Sequence, residues 1–259
     1  MPERDHSFHA EAVVLRHNDW GEADRILVLY TREMGKLRAV AKGVRKIRSR
    51  KAGHLEPFTR VRLYLARARD LPIITQAETV EAYQPIREDL LRTGYAIYLL
   101  ELIDRFTYEE GSNRLLYSLL TDSLARLAGL EPPWLVARYY EMQLLDGVGY
   151  RPELFNCVNC RREIKAEDQF FSNLTGGVLC PECGVGQPGA RGVSMLALKY
   201  LRHLQRSSYA EASRVSILPP VTLEMESLLY GYLTFLLERN LNTPTFLREV
   251  RESYGDHPA

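Results

Sequence analysis

The period of the hydrophobic pattern changes once along this 259-residue chain, and that change constrains its fold more than any single motif. Up to Glu81 apolar and polar residues alternate, the two-residue period of strands with one buried face. Beyond Pro85 the apolar residues recur at three- and four-residue spacing, the period of helices. Strands first and helices afterwards predict an α+β, multidomain chain with its parts segregated, not an alternating βαβ fold. Strands are expected over residues 9–16, 25–31, 36–42, 58–65 and 71–81. Five short strands in so few residues suit a small closed barrel, so residues 1–82 are read as a five-stranded OB-fold β-barrel.

Helices are expected over 88–108, 113–127, 132–147, 193–206, 219–239 and 246–254. Pro132 and Pro133 sit well in a first helical turn. The leucine and aromatic stripes of these segments read as core, and residues 83–152 with 190–259 are taken as one all-α domain. Between its halves, residues 153–189 form an insert around Cys157, Cys160, Cys180 and Cys183. Their spacing, C-x2-C-x19-C-x2-C, offers two thiolate pairs that together complete a tetrahedron of sulfurs, a four-cysteine zinc knuckle. Phe170, Phe171, Asn173, Gly176 and Gly177 read as a small hairpin joining the two pairs. Four sulfurs fill the coordination sphere of one Zn2+ ion, which makes the expected zinc structural and not catalytic.

Charge is as uneven as period. Residues 35–69 hold twelve lysines and arginines against the single acid Glu56, a balance of +11 in a chain whose total is +1. Such a concentration reads as a polyanion-binding face. The alternation of the third strand puts Leu37, Ala39 and Ala41 inward and Lys36, Arg38, Val40 and Lys42 outward. A loop with Arg45, Lys46, Arg48, Arg50 and Lys51 follows. The fourth strand repeats the device, with Phe58, Arg60, Arg62 and Tyr64 expected on one outward face. Cations neutralise phosphates and aromatic rings stack on bases of any sequence, so these residues, together with Arg25, are the candidate DNA contacts. Residues 82–150, with net charge −4, are not expected to join that face. Lys199, Arg202, His203 and Arg206 on one later helix read either as a solvated face or as a receptor for an acidic peptide.

Other functions leave no signature. There is no phosphate-binding G-x-x-x-x-G-K-[ST] loop, no G-x-G-x-x-G and no G-x-S-x-G, which favours a binding protein over an enzyme. The acidic pairs Glu22/Asp24 and Glu109/Glu110 leave a metal-dependent nuclease open as a minor alternative. An RNA-binding protein of barrel and zinc ribbon is another. The longest uncharged apolar stretch, residues 227–237, is shorter than the ~20 residues a bilayer requires. The first residues lack the apolar core of a signal peptide, so a cytoplasmic location is expected.

Several segments resemble the RecO family of bacterial recombination mediators. They are Gly21-Glu22-Ala23-Asp24-Arg25, the run from Gly35-Lys36-Leu37-Arg38 to Gly43-Val44-Arg45-Lys46, Leu55-Glu56-Pro57-Phe58 and Gln76-Ala77-Glu78. Leu144-Leu145, Gly149-Tyr150-Arg151-Pro152 and the following Cys157 and Cys160 extend the likeness in the same order. The resemblance implies an OB-fold, a helical domain and a zinc segment. It also implies a protein that binds single- and double-stranded DNA and anneals complementary strands without ATP. Implied partners are RecR, the acidic C-terminal tail of single-stranded DNA-binding protein and, indirectly, RecA, with a place beside the bacterial nucleoid.

Overall fold

The structure is a computed structural model that describes residues 7–109, 111–129 and 131–254. The chain divides into two compact units, Met1–Glu131 and Pro132–Ala259. The first begins with β1 (Ser7–Trp20), β2 (Asp24–Thr31) and β3 (Gly35–Ala41), continues through a single 3-10 turn (Ala52–His54), and adds β4 (Arg60–Ala66) and β5 (Ile73–Glu81). These strands close into a barrel in the order β1-β2-β3-β5-β4, the OB-fold. Strand β1 pairs with β4 through its first half and with β2 through its second, bending at a bulge between Val14 and Arg16. The parallel contact of Val40 with Ile73 completes the circle.

Alternation decides what fills the barrel. Ala10, Ala12 and Val14, Leu27 and Leu29, Ala39 and Ala41, and Val61, Leu63 and Leu65 all turn inward. Small residues on β1 and β3 face bulky ones on β2 and β4, which is how a narrow barrel fills without voids. The opposite parity is not all wet. Val13, Leu15, Val28 and Tyr30 have the outward parity yet are buried. After α1 (Gln84–Arg87) come α2 (Leu90–Phe106) and α3 (Arg114–Ala128), and α2 packs on β1. Asp89 and Asn113 start the long pair, their side chains accepting the N–H groups of Arg92 and Leu116.

Polar ties fix these helices to the barrel. Arg16 and Lys36 both reach Asp104 near the end of α2, and Tyr117 of α3 donates to Glu11 of β1. Gly35 allows the closest approach: its φ is +69°, and a Cβ there would stand 2.2 Å from the Gly111 carbonyl oxygen. The helices between residues 84 and 128 therefore share a unit with the barrel.

The second unit contains α4 (Pro133–Gly147), β6 (Gln169–Ser172), β7 (Gly177–Leu179), α5 (Pro181–Gly184), β8 (Ala190–Val193), α6 (Met195–Arg206), α7 (Tyr209–Ala212), α8 (Pro219–Leu237) and α9 (Thr243–Tyr254). Proline opens α4 and α8, and Ser194 caps α6. Helix α4 packs against α6 and α8, and Val136, Tyr140 and Leu144 of α4, Leu198 and Leu201 of α6, and Met225 and Leu229 of α8 are buried. A buried charge pair, Arg138 with Glu141 at 2.6 Å, lies in α4. The expected hairpin is β6–β7, and β8 adds a third strand on the far side of β6. Among the described residues, no helix is long and apolar enough to cross a membrane.

Candidate nucleic-acid interface and metal centre

Barrels of this strand order take ligands on the outer face of β2 and β3, flanked by the β1–β2 and β4–β5 loops. Here that face has two halves. At the Thr31–Gly35 end it is closed. Lys36 Nζ sits 2.6 Å from the Asp104 carbonyl oxygen, 2.7 Å from Asp104 Oδ1 and 3.2 Å from the Thr107 carbonyl oxygen. An ammonium among the last carbonyls of α2 complements the helix dipole as well as the carboxylate. Burial would raise the pKa of Asp104, but Arg16 and Lys36 outweigh it and hold the carboxyl below its ordinary range.

At the Arg25–Ala41 end the face is open. Lys42, Lys46, Arg48 and Arg50 are exposed, and none forms an ion pair or side-chain hydrogen bond among the described residues. Arg38 is half in water, with Glu109 at 3.8 Å, and Arg45 reaches Asp19 at 3.3 Å. Arg67 and Arg69 of the β4–β5 loop are also exposed. The basic loop is fastened to the β1–β2 hairpin: the Gly43 N–H donates to Asp24 at 2.7 Å, and the Arg45 N–H donates to the Ala23 carbonyl at 2.9 Å.

The structure separates the sequence-expected contacts by environment. Arg38, Lys42, Arg45, Lys46, Arg48 and Arg50 share the open end, whereas Lys36 is committed to α2. Arg25 has the inward parity of Leu27 and closes the barrel end against Asp19 and Glu56. Lys51 donates to the Ile74 carbonyl, and burial pushes its pKa down. Arg60 is held by Glu11 at 2.5 Å. Burial would raise the pKa of Glu11, but bonds from Arg60 and Tyr117 leave it lowered. Arg62 and Tyr64 do face outward on β4, on a different side of the barrel, Arg62 near Glu78 and Tyr64 edge-on to His9 at 4.6 Å.

Phe58 corrects an expectation. It is not on the Arg60–Tyr64 face; its φ of +51° breaks the alternation before β4 begins, and its ring is 5% exposed beneath the Arg87 guanidinium at 4.2 Å. Two large apolar residues that the sequence reading did not single out are exposed instead. Trp20, at the end of β1, is 60% exposed beside the basic loop, and Ile47 within that loop is fully exposed. A large apolar residue against Gly21, at a hairpin tip, was the available signal.

In the second unit the four cysteine thiols lie within 4.8 Å of one another, close enough to hold one metal ion. The first pair sits in a tight turn, the Cys157 N–H donating to the Arg162 carbonyl and Arg161 adopting φ +63°. The second pair opens α5, with the Cys183 and Gly184 N–H groups on the Cys180 carbonyl. A Cβ on Gly184 would collide with the Phe170 ring at 2.3 Å, so strand β6 presses directly on this turn. Arg162 donates to Cys160 and, with backbone help, draws its pKa down to about 6, while pairing with Glu182. Asn159 favours the Cys183 thiolate, but neighbouring Cys180, burial and the other sulfurs leave that thiol pushed up to about 11. Four converging thiols cannot all ionise alone, and a divalent cation resolves that repulsion. The acidic pairs build no comparable site: among the described residues the cysteines are the only such cluster. Asp24 serves Gly43, and Glu110 lies outside the described residues.

A groove of about 940 Å³ runs along α6 in the same unit, lined by Lys199, Arg202, His203, Arg206 and Phe155. Phe155 is its floor, with the Arg206 guanidinium 3.4 Å and the Arg202 guanidinium 5.1 Å from the ring centre.

Residues 6–83 match the family model described as Recombination protein O N terminal, and residues 87–244 match Recombination protein O C terminal. The chain is 40% identical to the DNA repair protein RecO of Roseiflexus sp. (strain RS-1) over 96% of its own length and 88% of that protein. It is 35% identical to the DNA repair protein RecO of Dehalococcoides mccartyi (strain CBDB1), over 95% of this chain and 97% of the relative. With the protein of the same description from Pelotomaculum thermopropionicum the identity is 38%, over 97% and 96%.

Proposed function

Because the chain belongs to the RecO family of DNA repair proteins, we propose that it is a recombination mediator that works by binding DNA and not by catalysis. It holds single- and double-stranded DNA, anneals complementary strands without ATP and, with RecR, helps RecA load onto strands coated by single-stranded DNA-binding protein. Its place is the bacterial cytoplasm, at the nucleoid. The observation that carries this reading is the open end of the β2–β3 face, where Lys42, Lys46, Arg48 and Arg50 are exposed and form no ion pair among the described residues, and Trp20 stands exposed on the hairpin fastened to their loop. Each phosphate neutralised there releases counterions, and a shared positive surface lowers the repulsion between two approaching strands. Annealing is downhill once that repulsion falls, so no nucleotide is required.

The α6 groove fits the acidic tail of single-stranded DNA-binding protein, with the cations for its carboxylates and the Phe155 floor for an apolar residue. Zn2+ is the metal the cysteine site suits. Sulfurs at about 2.3 Å from a zinc ion form a tetrahedron with edges of about 3.8 Å, and the Cys160 and Cys180 sulfurs are 3.8 Å apart. Cys157, Cys160, Cys180 and Cys183 leave no open position, so the ion would staple the two turns. A chelator should then lower the melting temperature, and an unchanged melting temperature would count against a structural ion.

The test mixes complementary DNA strands, coated with single-stranded DNA-binding protein, with this protein and no nucleotide. Duplex formation well above the spontaneous rate supports the mediator. Strands that stay unpaired reduce the open face to a binding surface, and stronger competition by RNA than by DNA would reassign it.

A further inference from the structure

We propose that Trp20 is the base-stacking residue of the open barrel face and gives it a preference for unpaired strands; the inference rests on reading that face as a DNA surface. The register places Trp20 opposite Asp24, on the same outward parity as Ile26, while Ile26 pairs with Val40 of β3. Trp20 therefore has the outward parity of Arg38 and Val40, and it sits on the hairpin that Gly43 and Arg45 fasten to the basic loop. It is 60% exposed. A ring of that size in water, unaccompanied by a covering element, loses the burial that normally stabilises tryptophan.

The hairpin that carries it is rigid. Asp24 accepts from the Gly43 N–H, the Ala23 carbonyl from the Arg45 N–H, and the Gly21 carbonyl from the Arg45 side chain at 3.3 Å. A base landing on the ring would therefore meet a surface already ordered, which keeps the cost of binding low. The other aromatics of this unit are poorer platforms for DNA. Phe58 lies under Arg87, Tyr64 makes a T-shaped pair with His9 on another side of the barrel, and the exposed Tyr108 stands at the closed end, where Glu109 bridges to Lys36.

The geometry has a consequence for strand choice. Phosphates are offered by single and double strands alike, so Lys42, Lys46, Arg48 and Arg50 do not discriminate between them. Base faces are hidden inside a duplex stack and open in a single strand, so a stacking ring favours the latter.

The experiment compares the full-length protein with Trp20→Ala and Trp20→Phe, using a thymidine 20-mer and a duplex of equal length at one salt concentration. Trp20→Ala should bind the single strand about tenfold more weakly, and the duplex less than about twofold more weakly. Trp20→Phe should recover most of the loss, with melting temperature and salt slope unchanged. Single-strand binding should also quench tryptophan fluorescence in the wild type and lose that quenching in Trp20→Phe. Equal losses on both ligands, or no loss with no quenching, would overturn the inference. A Lys42→Glu, Arg45→Glu, Lys46→Glu variant is measured alongside. If it binds DNA like the wild type, the interface itself is misplaced; if it fails while Trp20→Ala binds normally, only the stacking role is wrong.

Discussion

Lys36 and Lys42 bracket β3 with the same outward parity, yet they live in different solvents. Lys36 is 16% exposed, donates to two carbonyls at the end of α2 and pairs with the Asp104 carboxylate, whereas Lys42 faces water and forms no ion pair among the described residues. The difference comes from what covers each end of the strand. At one end Gly35 admits the backbone of the segment after α2, and at the other the β1–β2 hairpin ties down the basic loop through its backbone and leaves Lys42 exposed. A positive side chain on an outward strand position is thus a ligand contact or a structural tie according to elements that are distant in sequence. The same contrast recurs on β4, where Arg60 is pinned by Glu11 and Arg62 is not.

Four perturbations separate the structural cations from the exposed ones. Reversing charge at Lys42, Arg45 and Lys46 should weaken DNA binding at least a hundredfold near 0.1 M salt and reduce the salt slope by about 3. Titrations at several salt concentrations read both quantities, and an unchanged slope would remove these residues from the interface. Lys36→Ala should do the opposite, costing about 2–3 kcal/mol by leaving Asp104 partly uncompensated, with DNA affinity within about threefold. Urea unfolding and a binding titration on the same preparation separate the two effects.

The third perturbation is pH. Burial raises the Asp104 pKa and its two cations more than reverse this, so the folded value is depressed. A depressed carboxylate contributes stability that is present above its unfolded pKa of about 4 and disappears as pH falls through the folded value. Urea midpoints should therefore fall more steeply below about pH 4 in the wild type than in Asp104→Asn. Parallel curves would show that the dock is not electrostatic. The smallest effect is expected for Arg62→Ala, a two- to threefold loss of DNA affinity at most, without a change in melting temperature.

Much of this architecture was legible in the sequence because it follows from periodicity. The strand parity of β3 and β4, the interior set Val61, Leu63 and Leu65, and the proline-opened start of α4 require no long-range information. The cysteine spacing was legible for the same reason, since two turns and a hairpin are local. What escaped depends on irregularity or on distant partners. Extending the β4 alternation back to Phe58 ignores its left-handed φ, set where the Phe58 N–H joins the Val14 carbonyl at the β1 bulge. Strand β1 continues past Arg16 to Trp20 because β2 offers it a partner, which local pattern does not reveal. Strand β8 is too short to carry a period and exists because β6 has a free edge. The fates of Lys36, Lys51 and Arg60 each rest on an acid or carbonyl far away in the chain, as does that of Arg25, so counting positive charge over residues 35–69 includes three cations held by the fold.

The division of the basic stretch into structural and DNA-facing residues is tested most directly by lysine acetylation footprinting. The folded protein is treated briefly with a small amine-reactive acetylating reagent, with and without a saturating thymidine oligonucleotide, and each lysine is quantified by mass spectrometry. Lys42 and Lys46 should react readily alone and be protected by DNA, while Lys36 should react slowly in both samples. A reactive Lys36 that DNA protects, or Lys42 and Lys46 that react equally with and without DNA, would contradict the account.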